Sequence, residues 1–190
     1  MTNPLLTEWT TPFELPPFDQ ISDDDFGPAV DAALDEARAA ISTIAADDAA
    51  PTFENTIVAL EVADEKLGRV LGAFYALAGA DSNPAREALQ RDFAPKLSAY
   101  GSWISANALL FARIETLWDA RDTLDLTDEQ ARVLMLTRRG FVRSGAQLQG
   151  PDADRLKDVK SRLSVMGTEF VQDLLGDERE WFMPLGGGDL

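Results

Sequence analysis

Two of the side chains most used in catalysis are missing from this sequence: it contains no His and no Cys. Without imidazole there is no His general base, no Ser-His or Cys-His pair and none of the usual imidazole zinc sites. Without thiols there are no disulfides, thiol nucleophiles or thiolate metal ligands. Carboxylates, Lys, Arg, Ser, Thr and Tyr remain, and each is common on ordinary protein surfaces.

Four groupings of these and other residues have suggestive spacing. Asp23-Asp24-Asp25 is a candidate cation site, but the run lacks the alternating ligands and distal Glu of a calcium loop. Acids at the positive end of a helix dipole are the simpler account. Arg138, Arg139 and Arg143 form the densest basic patch and could grip a carboxylate. Salt bridges to the chain's own acids are the favoured reading of them. Trp9, Trp103, Trp118 and Trp181 could line an aromatic pocket, with core or helix packing preferred. Gly68, Gly72, Ala76 and Ala80 recur every four residues, a stripe that suits close approach of another helix. No catalytic or metal residue is assigned, and substrate-binding residues stay unknown.

The background charge narrows the partners. Asp plus Glu number 33 against 17 Lys plus Arg, for a formal charge of -16 over 190 residues. Such a surface repels phosphate backbones and anionic lipid, so neither nucleic acid nor membrane is an expected partner. No apolar run approaches a membrane span, and Met1 to Leu6 lacks the basic start and apolar stretch of a signal peptide. A cytoplasmic location is the expectation.

The elements that position these residues read as helices. Residues 1–21, with Pro4, Trp9, Pro12, Phe13, Pro16, Pro17 and Phe18, predict an extended Pro-rich arm lying on the body. Ser22 caps a first helix to about Asp47, with Phe26, Val30, Leu34, Ala37, Ile41 and Ile44 on one face. Pro51-Thr52 opens a second, read as continuous to about Ala80. Asn83-Pro84 opens a third to about Asn107, kinked near Pro95, and Asn107 caps a fourth carrying Leu110, Ile114, Leu117 and Trp118. Thr127-Asp128-Glu129-Gln130 fits a capping box for a fifth helix, through Phe141 to Leu148. Gly150-Pro151 starts a sixth, with Leu156, Val159, Leu163, Met166, Phe170 and Leu174. Gly176 onward is turn-like. The expected fold is all-α, an antiparallel bundle of five or six helices: arm 1–21, helical lobe 22–175, connection 176–190.

The order of certain segments carries a resemblance. Asn3-Pro4-Leu5-Leu6 precedes Pro16-Pro17-Phe18-Asp19-Gln20-Ile21; Pro28-Ala29, Arg38 to Ala45 and Leu67 to Val70 also match. More specific are Pro51-Thr52-Phe53-Glu54-Asn55-Thr56-Ile57, with Ala59-Leu60-Glu61, and Phe141-Val142-Arg143-Ser144-Gly145-Ala146-Gln147-Leu148. Asn107 to Arg113 and Phe170-Val171-Gln172 complete the set. Together they resemble the N-terminal region of the zinc metallopeptidases that include oligopeptidase A, thimet oligopeptidase and bacterial peptidyl-dipeptidase.

The resemblance implies a two-lobed helical enzyme whose channel admits short peptides. Zinc is expected in the full-length enzyme on a His-Glu-x-x-His helix of a C-terminal catalytic lobe, and none in this segment. The family often places His before the first helix's aromatic residue, where this chain has Asp25 before Phe26. The chain reads as a truncated product, inactive alone, that forms one channel wall. Its expected partners are the catalytic lobe of the same chain and short peptides, with a homodimer of the isolated segment another expectation. The competing reading is a free-standing helical module that binds a peptide or protein without catalysis.

Overall fold

Side-chain caps set most helix boundaries. The computed structural model describes residues 3–156 together with 158–160, 162–163, 166–167, 170 and 181. At the start of α1 (Asp23–Ala45), the Ser22 N–H and hydroxyl both donate to the Asp25 carboxylate, at 2.8 and 2.6 Å. Asn83 Oδ1 accepts from the Arg86 N–H to open α4 (Pro84–Ser105), and Asn107 Oδ1 accepts from the Leu110 N–H to open α5 (Ala108–Ala120). Thr127 and Gln130 exchange reciprocal bonds at the start of α6 (Asp128–Arg143). These are the caps expected from the sequence.

The core is built on α1. Its residues Phe26, Ala29, Val30, Ala33, Leu34, Ala37, Ile41 and Ile44 are buried, the spacing of one helical face. α1 packs against α3 (Glu65–Ala80), α4 and α5, and α5 packs against α6. Edge-to-face contacts Phe26–Phe74 at 5.1 Å and Phe74–Phe93 at 4.9 Å tie α1, α3 and α4 together. Phe111 stacks on Phe141 at 5.9 Å, joining α5 to α6. The described residues contain helix and no strand, so the fold is an all-α helical bundle.

Three expectations about the elements change. The second helix is not continuous: a π-helical segment, Phe53–Val58, leads into one turn of α2 (Ala59–Val62). The chain then breaks at Ala63–Asp64 before α3, with Asp64 at φ -118, ψ 18. Next, α6 stops at Arg143 rather than reaching Leu148. Gly145 takes φ 96, its N–H donates to the Val142 carbonyl and the Ala146 N–H to the Phe141 carbonyl. That is the Schellman arrangement, which a left-handed glycine makes cheap. α4 is the expected third helix and runs unbroken through Pro95. The arm also differs: Leu5 and Trp9 are buried, but short 3-10 turns at Pro4–Leu6 and Pro12–Glu14 interrupt it, and Phe13 stands 95% exposed at φ 60.

Residues Met1–Ala146 form one compact unit and Gln147–Leu190 a second. In the second, Gly150 has φ 54 and residues 151–156 are helical, as the Gly-Pro punctuation predicts. Leu163, Met166 and Phe170 of the expected apolar stripe are exposed. Leu174 lies outside the described residues, as does the tail from Gly176 apart from the exposed Trp181.

Candidate functional site

The strongest polar constellation in the chain is one that spacing did not reveal. Arg113 on α5 is 6% exposed. Its Nη1 donates to the backbone carbonyls of Asp47 at 2.5 Å and Ala49 at 3.1 Å. Its Nη2 donates to Asp47 Oδ2 at 3.3 Å and Asn55 Oδ1 at 3.0 Å. The same Asn55 oxygen accepts from the Thr52 N–H at 2.7 Å and the Thr56 hydroxyl at 2.9 Å, while Nδ2 donates to the Ala50 carbonyl at 3.0 Å. One guanidinium and one amide thus satisfy the turn between α1 and the π-helical segment. Arg113 Nε alone is left buried without a partner. The Pro51 to Ile57 segment, one of the two more specific parts of the resemblance, is therefore a structural knot in this chain. Nothing about it is nucleophilic or basic.

The acidic run is likewise consumed by structure. Asn83 Nδ2 donates to Asp23 at 2.9 Å and Arg86 Nε at 2.7 Å, linking the starts of α1 and α4. The hydrogen bond from Asn83, then that from Arg86, and the Arg86 charge hold the Asp23 carboxyl below its usual range. Ser22, through its hydroxyl and then its N–H, does the same for Asp25. Among the described residues no three acids gather as metal ligands. With His and Cys absent from the sequence, these residues do not fit a zinc site.

Trp9, Trp103 and Trp118 have separate partners and do not form one pocket. Trp9 lies under the Arg69 guanidinium at 4.8 Å. Trp103 stacks with Tyr100 at 6.3 Å, and Arg38 lies over both rings. Trp118 carries Arg121 at 4.4 Å and Arg138 at 4.9 Å. The Tyr100 hydroxyl is buried and unpartnered; burial first, then the Asp64 charge, pushes its pKa up to about 12.

The remaining groupings divide or reverse. Arg138 follows the favoured reading, with Nε on Glu115 Oε1 at 2.5 Å. Arg139 and Arg143 are exposed and make no ion pair among the described residues. Among the described residues the small-residue stripe does not pack: Gly68, Gly72, Ala76 and Ala80 are exposed, and a Cβ added at Gly68 or Gly72 would meet no described atom within 4 Å. Beside it Val62 and Tyr75 are also exposed. Spacing alone could not distinguish a small face that is covered from one that is bare. No helix among the described residues is long and apolar enough to cross a membrane.

Among the described residues this is an all-α unit with a buried arginine knot and no assembled cluster of metal-ligating side chains. No protein-family model matches the chain. The chain is 37% identical over 174 residues to dipeptidyl carboxypeptidase of Salmonella typhimurium, covering 92% of this chain and 26% of that protein. It is 35% identical to dipeptidyl carboxypeptidase of Escherichia coli, over 91% of this chain and 25% of that protein. It is 32% identical to oligopeptidase A of Escherichia coli, over 95% of this chain and 26% of that protein. The family is therefore that of the dipeptidyl carboxypeptidases and oligopeptidase A. The chain spans about a quarter of the length of the relatives it matches.

Proposed function

We propose that this chain is the non-catalytic N-terminal lobe of a zinc-dependent peptidase of the dipeptidyl carboxypeptidase and oligopeptidase A kind. In this reading residues 22–175 form the lobe, residues 1–21 brace it, and residues 176–190 begin the connection to a catalytic lobe. The lobe forms one wall of a channel that admits short peptides. The observation that carries the reading is the similarity over nine-tenths of the chain to only a quarter of each relative. The chemistry agrees: a chain without His or Cys has no ordinary zinc ligand set to offer. Zinc, when bound by the rest of the enzyme, would polarise the scissile carbonyl and activate water. This chain's residues would shape access and hold no proton in that reaction.

The bare face of α3 supports the reading of a lobe with a partner. Its exposed positions from Gly68 to Ala80 are Gly68, Gly72, Tyr75, Ala76, Gly79 and Ala80, none of them charged. Contiguous uncharged surface of this kind suits an interdomain contact. The test mixes the purified chain with the portion of a dipeptidyl carboxypeptidase that lies outside the match. Co-elution on a sizing column is expected. Two species that stay separate at tens of micromolar would contradict the lobe assignment.

A further inference from the structure

Residues 130–151 contain four arginines and no acid, in a chain where acids outnumber bases 33 to 17. α6 sorts those arginines to two sides. Arg138 turns to Glu115 and Trp118. Arg132, Arg139 and Arg143 are all exposed. At 100° per residue they fall with Leu136 within about 60° of arc, so they share one face. Leu136 is 37% exposed between them.

What separates these arginines from most of the chain's other cations is that none of them makes an ion pair or ring contact among the described residues. Across residues 3–146, Lys66, Arg86, Lys96, Arg113, Arg121 and Arg138 have carboxylate partners. Arg38 and Arg69 lie over aromatic rings. Of the cations left over, three stand on this one face of α6, and Arg91 stands alone on α4. Helix-dipole complementarity explains Arg143, in the last turn. It does not explain Arg132, which sits toward the positive end, with Asp128 and Glu129 on the preceding turn.

We propose that the Arg132–Leu136–Arg139–Arg143 face of α6 is a docking surface for an acidic peptide segment. The occupant is chosen by charge complementarity and length. Guanidiniums present planar donors that fit carboxylates, and Leu136 offers an apolar contact between them. The net charge of -16 repels long polyanions, so a short acidic segment is favoured over nucleic acid. Along the axis, Arg132 to Arg139 spans roughly 10 Å and Arg139 to Arg143 roughly 6 Å, at 1.5 Å per residue. An extended peptide rising about 3.3 Å per residue meets all three with Glu at its first, fourth and sixth positions.

The test uses the whole chain and a fluorescein-labelled peptide with that Glu pattern, followed by anisotropy at low salt. Its Gln counterpart is the charge control. The double variant Arg139→Gln/Arg143→Gln should weaken binding about tenfold, the size expected for two exposed charge pairs. Arg91→Gln removes an unpaired cation elsewhere and should leave binding unchanged. All these positions are exposed, so the variants should melt with the parent. The proposal is overturned if the Glu and Gln peptides bind equally or if the double variant keeps full affinity. Equal loss in Arg91→Gln, or equal Arg139-dependent binding of a single-stranded oligonucleotide, would also overturn it.

Discussion

Arg113 and Asn55 are joined at 3.0 Å across 58 positions of chain, and their contact closes the turn that delivers the π-helical segment to α5. The guanidinium is buried and serves the backbone carbonyls of Asp47 and Ala49. Arg113→Ala should therefore cost about 3–5 kcal/mol, the range for breaking a buried, hydrogen-bonded charge. Asn55→Ala should cost about 0.5–2 kcal/mol by removing the capping-box partner of Thr52 and one acceptor of Arg113. Because the two share one network, the double variant should lose less than the sum, by about 0.5–3 kcal/mol. Urea denaturation of the three variants measures each term. Strict additivity would show that the two side chains act separately.

The exposed stripe on α3 reverses the ordinary rule for glycine-rich faces. With open space at Gly72, Gly72→Ala should stabilise the isolated chain by about 0.5–1 kcal/mol through helix propensity alone. Gly72→Leu should change stability by less than about 1 kcal/mol, since there is no neighbour to overpack. A large loss for Gly72→Leu in the isolated chain would mean that the stripe is covered.

Acid should loosen the junction between α1 and α4. The Asp23 carboxyl is held below its ordinary value by Asn83 and Arg86, and Asp25 by Ser22. A depressed folded pKa contributes stability that is present above the unfolded value near about 4 and is lost as pH falls through the folded value. The melting temperature should therefore drop as pH goes from about 5 downward. Asp23→Asn should be less stable at neutral pH and show a shallower acid slope. An unchanged slope would remove Asp23 from the account.

Alkali should act through Tyr100, whose pKa is pushed up to about 12 by burial and the Asp64 charge. A raised folded pKa means the favourable contribution holds below the unfolded value near about 10 and is lost as pH climbs toward the folded one. Tyr100→Phe should flatten that alkaline loss. At neutral pH it should be neutral to stabilising by about 1 kcal/mol, because the hydroxyl is buried without a partner. Thermal melts at pH 7 and above pH 10 separate the two effects; clear destabilisation at pH 7 would mean the hydroxyl does have a partner.

What the sequence disclosed and what it hid follow physical lines. Caps are local chemistry, so Ser22, Asn83, Asn107 and Thr127 could be read directly, and the apolar period placed Phe26 to Ile44 in the core. The π-helical segment and the break at Asp64 barely disturb the apolar spacing, so one long helix was the natural reading. The stop at Gly145 was a missed local signal, hidden because Leu148 continued the apolar period. The Arg113–Asn55 knot was illegible because its partners lie far apart in sequence and only the fold brings them together. The arginine cluster divided for the same reason: which of three nearby guanidiniums finds Glu115 is decided by helix rotation.

The central claim is that this chain contributes structure, and not a catalytic centre, to a peptidase. The most direct measurement is hydrolysis of an internally quenched peptide by the purified chain, with added zinc and with a chelator, beside the same chain combined with the portion of a dipeptidyl carboxypeptidase that lies outside the match. No turnover above buffer is expected from the chain alone at any zinc concentration, and chelator-sensitive turnover is expected in the combination. Chelator-sensitive hydrolysis by the chain alone, surviving repurification, would contradict the claim.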